Sequence, residues 1–354
     1  MTTSLFNKAC ALALLLTLAP VFAVAQNTDA GTAGAEDTPW FRQTPDSNKY
    51  ALIIVGAAAN DEIRQRLRGW ASDLHSTLRT DYGYDSSRIE LLMDDGVNVG
   101  NAAALITGSS RVEDVQSAMD RIASASAAGD QLSVFLFGHG SSTFGDAKFN
   151  NVGPDMTGQD FAAMLAALDG VDMVIFNTTS ASFEFSRELS VLGRIVVSAT
   201  RSAAERYDPV FGGQLVSALQ EKRADIDRNG RVSVLEVYSY ASARVAEWYR
   251  EQQRLPTENA VLDDSGDGLF SREPGPGQAD GLLAEIAWLD VAAAGEQKTS
   301  AEARRLQAEM QNLERDIFVL RNQKSNYLEE DYWNRLEALL IELATRTRRY
   351  HELP

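Results

Sequence analysis

The chain has 354 residues, with 33 basic and 50 acidic side chains, a formal net charge of −17, and 44% hydrophobic residues. This acidic balance argues against nucleic acids and anionic membranes as partners, and it favours cations and basic partners. The hydrophobic content is sufficient for a packed core in one large domain or two.

The first 25 residues are typical of a secretory signal peptide. Lys8 supplies a positive charge, residues 9–22 are nearly all apolar, and the Ala-Val-Ala triplet at 23–25 is a small-x-small cleavage signal. Cleavage after Ala25 would leave 329 of the 354 residues and predicts a secreted or periplasmic protein. No later stretch approaches the roughly 20 apolar residues of a membrane span, so the mature chain is expected to be soluble.

The mature chain is expected to lack thiols. Cys10 is the only cysteine and lies within the predicted signal peptide. Loss of Lys8 with the same segment leaves 32 basic and 50 acidic residues, a formal charge of −18. Neither a disulfide framework nor a thiolate nucleophile is then available, so the stability of the fold must come from core burial.

Residues 26–48 are rich in small and polar residues without an apolar period, which predicts a flexible leader. From residue 49 onwards, short apolar runs alternate with amphipathic stretches, the pattern of βαβ units around a parallel sheet. The predicted strands are 50–55, 89–93, 131–137, 172–176 and 194–198. The predicted helices between them are 63–78, 112–122 and 161–168, and Thr157 is the expected N-cap of the last.

The later part of the chain is predicted to be mainly helical. Helices are expected at 211–219 and 234–248, followed by an irregular segment at 256–278, so that one α/β domain covers 49–295. Residues 299–352 contain two charged helices with apolar stripes and a turn near Ser325, which predicts an antiparallel hairpin. This hairpin either packs on the main domain or forms a coiled-coil interface with another chain, and the second alternative predicts an oligomer.

Two polar loops follow neighbouring predicted strands. The loop 138–142 contains His139 between two glycines, and the loop 177–182 contains four hydroxyl side chains. Because parallel strands deliver their following loops to one edge of the sheet, His139 is expected to face the hydroxyls.

This order of strands and loops resembles the legumain and caspase-like cysteine peptidases of clan CD. In that family a strand ending in His-Gly supplies the base, and the next strand ends in Ala-Cys. Here His139-Gly140 and Thr178-Thr179 stand at those positions, and the resemblance covers residues 49 to about 220. It implies an α/β fold with a caspase-like parallel-sheet sandwich. Beyond the resemblance, the helices expected at 211–219 and 234–248 would add an EF-hand-like helix-loop-helix, and residues 299–352 would add the C-terminal α-helical hairpin.

The cysteine of the family is replaced by Thr179, or by Ser180 if the alignment slips by one residue. A cysteine thiolate is accessible near neutral pH, whereas a hydroxyl needs a strong and well-aligned base. The sequence therefore favours a degenerate pseudoenzyme that serves as a peptide- or protein-binding or scaffold module. The alternative is an active peptidase in which His139 is the base and the backbone amides of 138–140 form an oxyanion hole. An unknown chemistry remains a third possibility.

The family also recognises substrate partly through the loop that follows the next strand. The resemblance places this loop at 200–205, where Arg201 and Glu205 are the candidate substrate-binding residues. A solvated loop with ordinary charges is the alternative for both.

Residues 225–236 resemble the loop of an EF-hand. Carboxylate, amide, carbonyl and hydroxyl oxygens stand at loop positions 1, 3, 5, 7, 9 and 12, and Gly230 stands at position 6, where the sharp turn is needed. The predicted ligands are Asp225, Asp227, Asn229, Arg231 through its carbonyl, Ser233 and Glu236. Calcium is therefore the expected cofactor, and a helix-capping acidic loop is the alternative.

A second acidic turn lies at 263–268. Asp263, Ser265 and Asp267 stand at loop positions 1, 3 and 5, but Pro274 stands at position 12. A nonstandard calcium site and a simple Asp/Gly turn are both consistent with this pattern. If EF-hands pair in this protein, this turn is the expected partner of the first loop.

Overall fold

The computed structural model describes residue 41 and residues 47–97, 99–143, 146–275, 278–289 and 300–353. The predicted signal peptide at 1–25 lies outside the described residues, as does most of the predicted leader at 26–48. Within the leader, Phe41 is buried against the main core. The N–H of Asn48 donates to Asp130 at 2.8 Å, which fixes the chain just before the first strand.

The predicted α/β class with a parallel sheet is confirmed. In the described chain the strands are β1 (Lys49–Val55), β2 (Ile89–Met93), β3 (Gln131–Phe137), β4 (Gly140–Thr143), β5 (Asp146–Phe149), β6 (Met156–Thr157), β7 (Asp172–Asn177), β8 (Arg194–Ser198) and β9 (Val261–Asp263). The main sheet has the order β2-β1-β3-β7-β8-β9. Its first five strands are the five predicted ones and run parallel, whereas β9 runs antiparallel to β8.

Helices cover both faces of this sheet. In the described chain the α-helices are α1 (Asp61–Thr80), α2 (Val112–Ala125), α3 (Gly158–Leu165), α4 (Ser182–Glu188), α5 (Phe211–Leu219), α6 (Val234–Glu251), α7 (Leu282–Ile286), α8 (Ala301–Asn322) and α9 (Glu329–Glu352). Alternate strand residues point to opposite faces. Phe135 and Phe176 pack in one core with α1, α5 and α6, while Leu136 and Ile175 pack in the other with α2 and α3.

Local sequence signals account for how several helices begin. Thr157 caps α3 as predicted, in a reciprocal capping box with Asp160. Asn60 caps α1 by accepting the N–H of Ile63 at 2.9 Å. The N-terminus of α5 instead depends on a distant residue, because the buried carboxylate of Glu258 accepts the N–H groups of Val210 and Phe211.

Two sets of strands were not predicted from the sequence. Strands β4, β5 and β6 form a small antiparallel sheet between β3 and α3. Strand β9 lies within the segment 256–278, which was expected to be irregular. Its three residues are too few to show a period, and its partner β8 lies more than 60 residues away in the chain.

The C-terminal helices α8 and α9 form the predicted hairpin, with a 3-10 turn at Lys324–Asn326. Helix α8 buries Leu306, Ile317 and Phe318, and Phe318 belongs to the main core. The apolar stripe of α9 is much less buried, since the buried residues of this helix are Tyr332 and Tyr350. None of the described helices has the length and apolar character required to cross a membrane.

Candidate functional site

The carboxyl edge of the parallel sheet brings the two polar loops together. Strands β3 and β7 are parallel neighbours, with Leu136 paired to Asn177. His139 follows shortly after β3, and Thr179 follows shortly after β7. Both loops therefore leave the sheet at the same edge.

His139 lies half-buried at the start of the small antiparallel sheet. Its carbonyl accepts the N–H of Asn150 at 3.0 Å. Its side-chain Nε2 is buried and has no hydrogen-bond partner among the described residues. Burial, and then the nearby Arg66 guanidinium, lowers the pKa of His139 below its ordinary value. The imidazole is therefore mainly neutral at pH 7, the form in which one ring nitrogen can accept a proton.

The hydroxyl at the expected nucleophile position is buried and already hydrogen-bonded. Thr179 is 1% exposed. Its Oγ1 donates to Oδ1 of Asn177 at 2.7 Å, and Nδ2 of Asn177 in turn donates to the Ser186 hydroxyl at 3.1 Å. Within the described part of the chain, no hydrogen bond joins Thr179 to the imidazole of His139. This arrangement does not prepare the hydroxyl for proton transfer to the histidine.

Ser180 contacts the backbone next to His139 and not the imidazole. Its Oγ lies 3.4 Å from both the carbonyl oxygen and the N–H of Gly140, and the residue is 2% exposed. A methyl group at Gly140 would lie 2.4 Å from the carbonyl oxygen of Ser180 and 3.0 Å from Oγ1 of Thr179. The close contact of the two loops therefore requires glycine at this position.

Arg201 and Glu205 belong to the segment that covers the Thr179 turn. The N–H of Ala181 donates to the carbonyl of Glu205 at 2.9 Å. The Glu205 carboxylate accepts the N–H of Arg201 at 2.9 Å and two hydrogen bonds from Asn259, at 3.1 and 2.5 Å. The guanidinium of Arg201 lies 3.4 Å from Glu205 and is about half exposed. Glu205 thus joins three segments of the chain, while Arg201 remains accessible to solvent.

An open groove of about 390 Å³ lies at the same edge of the sheet, beyond β1 and β2. Its lining residues are Ala57, Ala58, Arg64, Arg68, Asp94, Asp95, Val97 and Val152. The N–H of Gly56 donates to the carbonyl of Phe137 at 2.8 Å, which places the groove next to β3, the strand that precedes His139. Inside the groove, Asp94 lies 2.5 Å from Arg68 and 3.8 Å from Arg64.

The loop 225–236 gathers carboxylate oxygens around one point. Asp225, Asp227 and Glu236 each offer an oxygen within 4.8 Å of the others. The loop is held by its own amides, because Asp225 accepts the N–H groups of Asn229 and Gly230, each at 3.0 Å. Calcium takes oxygen ligands at about 2.3–2.6 Å, so ligands on opposite sides of the ion are about 5 Å apart. The three carboxylates could therefore hold a metal ion.

Glu236 and Ser233 also form the cap of the helix that follows the loop. Ser233 is the N-cap of α6, and Glu236 completes the capping box. The Glu236 carboxylate accepts four hydrogen bonds, from the N–H groups of Ile226, Asp227 and Ser233 and from the Ser233 hydroxyl. A carboxylate offers about four acceptor sites, so Glu236 must exchange some of these bonds to coordinate an ion.

Arg231 connects this loop to the C-terminal hairpin. Its guanidinium lies 3.8 Å from the centre of the Trp288 ring. The same guanidinium donates two hydrogen bonds to the carboxylate of Glu314 on α8, one of them at 3.2 Å. Both side chains are nearly buried, with exposures of 11% and 13%. The loop and the hairpin therefore form one packed unit at this point.

The two helices that flank the loop lie where they were predicted, since α5 ends at Leu219 and α6 begins directly after Ser233. Between α5 and the loop, the chain kinks through Glu221 and Lys222 with φ values of +54° and +52°. The backbone segment paired with the loop is 287–289, where the N–H of Leu289 donates to the carbonyl of Val232 at 3.1 Å. The second acidic turn is therefore not the partner of the first loop.

The second acidic turn is closed by its own backbone amides. Asp263 is 1% exposed, and its carboxylate accepts the N–H groups of Ser265, Gly266 and Gly268 at 2.9–3.1 Å. Asp267 is exposed. Among the residues with described positions, no third carboxylate or imidazole lies close enough to complete a metal site with Asp263 and Asp267. These contacts are those of an Asp/Gly turn.

Sequence reasoning did not assign roles to several residues on which these sites depend. A signal was available for Asn177, because this polar residue directly follows four apolar residues of its strand. Asn259 and Glu314 offer no local signal, since they lie 54 and 83 residues from Glu205 and Arg231, respectively. Contacts at such separations follow from the fold and not from a motif.

No protein family model matches the chain, and no curated protein matches it. Solved structures with a similar arrangement include protein GSU0716 from Geobacter sulfurreducens, with a TM-score of 0.39 and 13% identity over 61% of this chain and 92% of that one. They also include the caspase drICE, with a TM-score of 0.37 and 12% identity over 66% of this chain and 94% of that one. These scores are low, so any function must be argued from the geometry of this chain itself.

Proposed function

We propose that this chain is an exported, catalytically inactive relative of the legumain and caspase-like peptidases that binds calcium and a peptide or protein ligand. The observation that carries the proposed loss of catalysis is the hydrogen bond from Thr179 to Asn177. It engages the hydroxyl with Asn177 in a turn that is closed to solvent. A hydroxyl nucleophile without an aligned base is a poor catalyst.

The position of the site supports a relationship to this family. His139 and Thr179 follow neighbouring parallel strands and meet at one edge of the sheet, where the resemblance in sequence expects a base and a nucleophile. Functional loops of open parallel sheets gather at this edge. The sequence retains the histidine and lacks the cysteine, which is the pattern of a site that has lost its chemistry.

The groove beyond β1 and β2 is the proposed ligand site. It is open, and it presents both arginine and aspartate side chains along its walls. Such a lining can accept the backbone and charged side chains of an extended peptide. The net charge of −17 favours a basic ligand over an acidic one at long range.

Calcium binding is proposed for the loop 225–236. The three carboxylates already face one point. Among the described residues, Asp225 and Asp227 are each seen to accept two hydrogen bonds, fewer than the roughly four acceptor sites of a carboxylate. When bound, calcium would supply the positive charge that offsets the repulsion among these carboxylates. The Glu236 carboxylate would then lose some of its hydrogen bonds from backbone N–H groups and coordinate the ion instead.

A calcium titration followed by thermal unfolding tests the metal site. Saturating calcium is expected to raise the melting temperature of the wild type by about 4 °C or more. Asp225→Asn and Glu236→Gln should each remove most of this increase, while Asp267→Asn in the second turn should keep it. An unchanged melting temperature at millimolar calcium would contradict the assignment.

Turnover of a diverse peptide library tests the proposed loss of catalysis. We expect the purified chain with calcium to show no cleavage above that of His139→Ala, Thr179→Ala or Ser180→Ala. Cleavage that is lost in His139→Ala and in one hydroxyl variant would establish the alternative, an active peptidase with Thr179 or Ser180 as nucleophile. Binding of basic peptides to the wild type, weakened by Asp95→Asn in the groove, would support the ligand site.

A further inference from the structure

Helix α9 exposes apolar side chains on a side next to the face that packs against α8. Trp333, Leu340 and Ile341 are 50%, 48% and 59% exposed. At 100° per residue these three side chains share one side of the helix with other exposed residues. We call this side the outer face, and it consists of Trp333, Glu337, Leu340, Ile341, Ala344 and Arg348. It extends over about 22 Å of helix. Apolar residues grouped in this way mark an interaction surface more often than single exposed ones do.

The outer face is symmetric about the middle of the helix. Helix α9 runs from residue 329 to residue 352, so its midpoint lies between Leu340 and Ile341. Trp333 and Arg348 are equally distant from this midpoint, as are Glu337 and Ala344. A second copy of the helix, turned by 180° about an axis at the midpoint, therefore meets the first with the same residues.

The charges on α9 favour an antiparallel second copy over a parallel one. The first turn contains three acidic residues, at 329–331, while basic residues are concentrated near the other end. Arg348 and Glu337 on the outer face form no ion pair within the described part of the chain. Antiparallel pairing places Arg348 of one copy over Trp333 of the other and within reach of Glu337. Antiparallel pairing also orients the two helix dipoles in opposite directions, which is favourable. Parallel pairing would instead bring the acidic first turns of the two copies together.

We propose that two copies of this chain associate through the outer faces of α9, packed antiparallel with Leu340 and Ile341 at the two-fold axis. This interface is separate from the groove beyond β1 and β2. One of its residues, Leu340, also lines the cavity that contains Asp227 and Glu236 of the loop 225–236. The interface is an interaction surface in addition to the proposed calcium and peptide sites.

Sedimentation of the full chain over a range of concentrations, up to about 100 µM, tests the dimer. We expect a monomer–dimer equilibrium in which Leu340→Glu weakens association at least tenfold. Ala338→Glu is the matched control, because residue 338 is also exposed on α9 but lies outside the outer face. The control should associate like the wild type. A wild type that stays monomeric, or a dimer unaffected by Leu340→Glu, would overturn the proposal.

Charge exchange tests the antiparallel orientation. Arg348→Glu is expected to weaken the dimer at least tenfold, and the combination of Glu337→Arg with Arg348→Glu should restore most of the affinity. A parallel pair would not bring these residues together, and no restoration would result. Circular dichroism of each variant checks that the hairpin is still folded, and both substituted positions are exposed in the single chain.

Discussion

Oδ1 of Asn177 accepts two hydrogen bonds from Thr179, one from the hydroxyl at 2.7 Å and one from the backbone N–H at 3.2 Å. Both residues are at most 1% exposed. The side chain at the expected nucleophile position therefore stabilises the turn that contains it. In a cysteine at this position the sulfur would lie close to the same amide oxygen, away from solvent.

A cysteine placed at this position is expected to be unreactive. In the variant Thr179→Cys with Cys10→Ser, the new thiol is the only one in the chain. Its reaction with a thiol reagent should be at least about 100-fold slower than that of Tyr207→Cys in the same background, because residue 207 is 65% exposed and because burial raises the pKa of a thiol. Rapid labelling that is lost in His139→Ala would instead show an accessible and activated position.

Gly140 is expected to be the most sensitive glycine of the site. In Gly140→Ala the new methyl group would meet the carbonyl oxygen of Ser180 at 2.4 Å, so we expect a loss of about 2–4 kcal/mol in the free energy of unfolding. Gly69→Ala is the matched control, because Gly69 lies within α1 with nothing near its Cβ position. The control should gain about 0.5–1 kcal/mol. Urea unfolding that gave equal stabilities for the two variants would contradict the close contact.

The buried carboxyl of Asp280 is expected to make the protein less stable as the pH rises. Burial, and then the neighbouring Asp264 carboxylate, raises the pKa of Asp280 to about 6. The folded state thus binds this proton more tightly than the unfolded state, in which the pKa is about 3.9. The resulting stabilisation is complete below pH 4 and is lost as the pH rises through 6.

Asp280→Asn removes this dependence. At pH 8 the variant should be more stable than the wild type by about 2 kcal/mol, and near pH 4 the difference should largely disappear. Asp73→Asn, at an exposed position on α1, is the control and should show no such change between the two pH values. Thermal unfolding at the two pH values measures the effect, and an equal difference at both would rule out the titration of Asp280 as its cause.

The sequence was most informative where structure depends on neighbouring residues. The five parallel strands were recognisable as apolar runs, and the cap at Thr157 needs only Asp160 nearby. It was less informative where contacts are distant. The apolar stripe of α9 did not reveal how much of it this chain buries, because an apolar period shows that a helix has a face to cover but not what covers it. The position of His139 near the hydroxyls followed from strand order, whereas the orientation of the Thr179 hydroxyl depended on Asn177.

Through its contacts with Trp288 and Glu314, Arg231 joins the acidic loop directly to the C-terminal hairpin. Arg231 is part of that loop, and Glu314 lies near the middle of α8. Ala301, at the start of α8, is about 20 Å away along the helix axis. A tilt of α8 by about 10° around Glu314 would thus displace that end by about 3 Å. By this geometry, any change in the loop that tilted α8 would displace Ala301 more than it displaced Arg231.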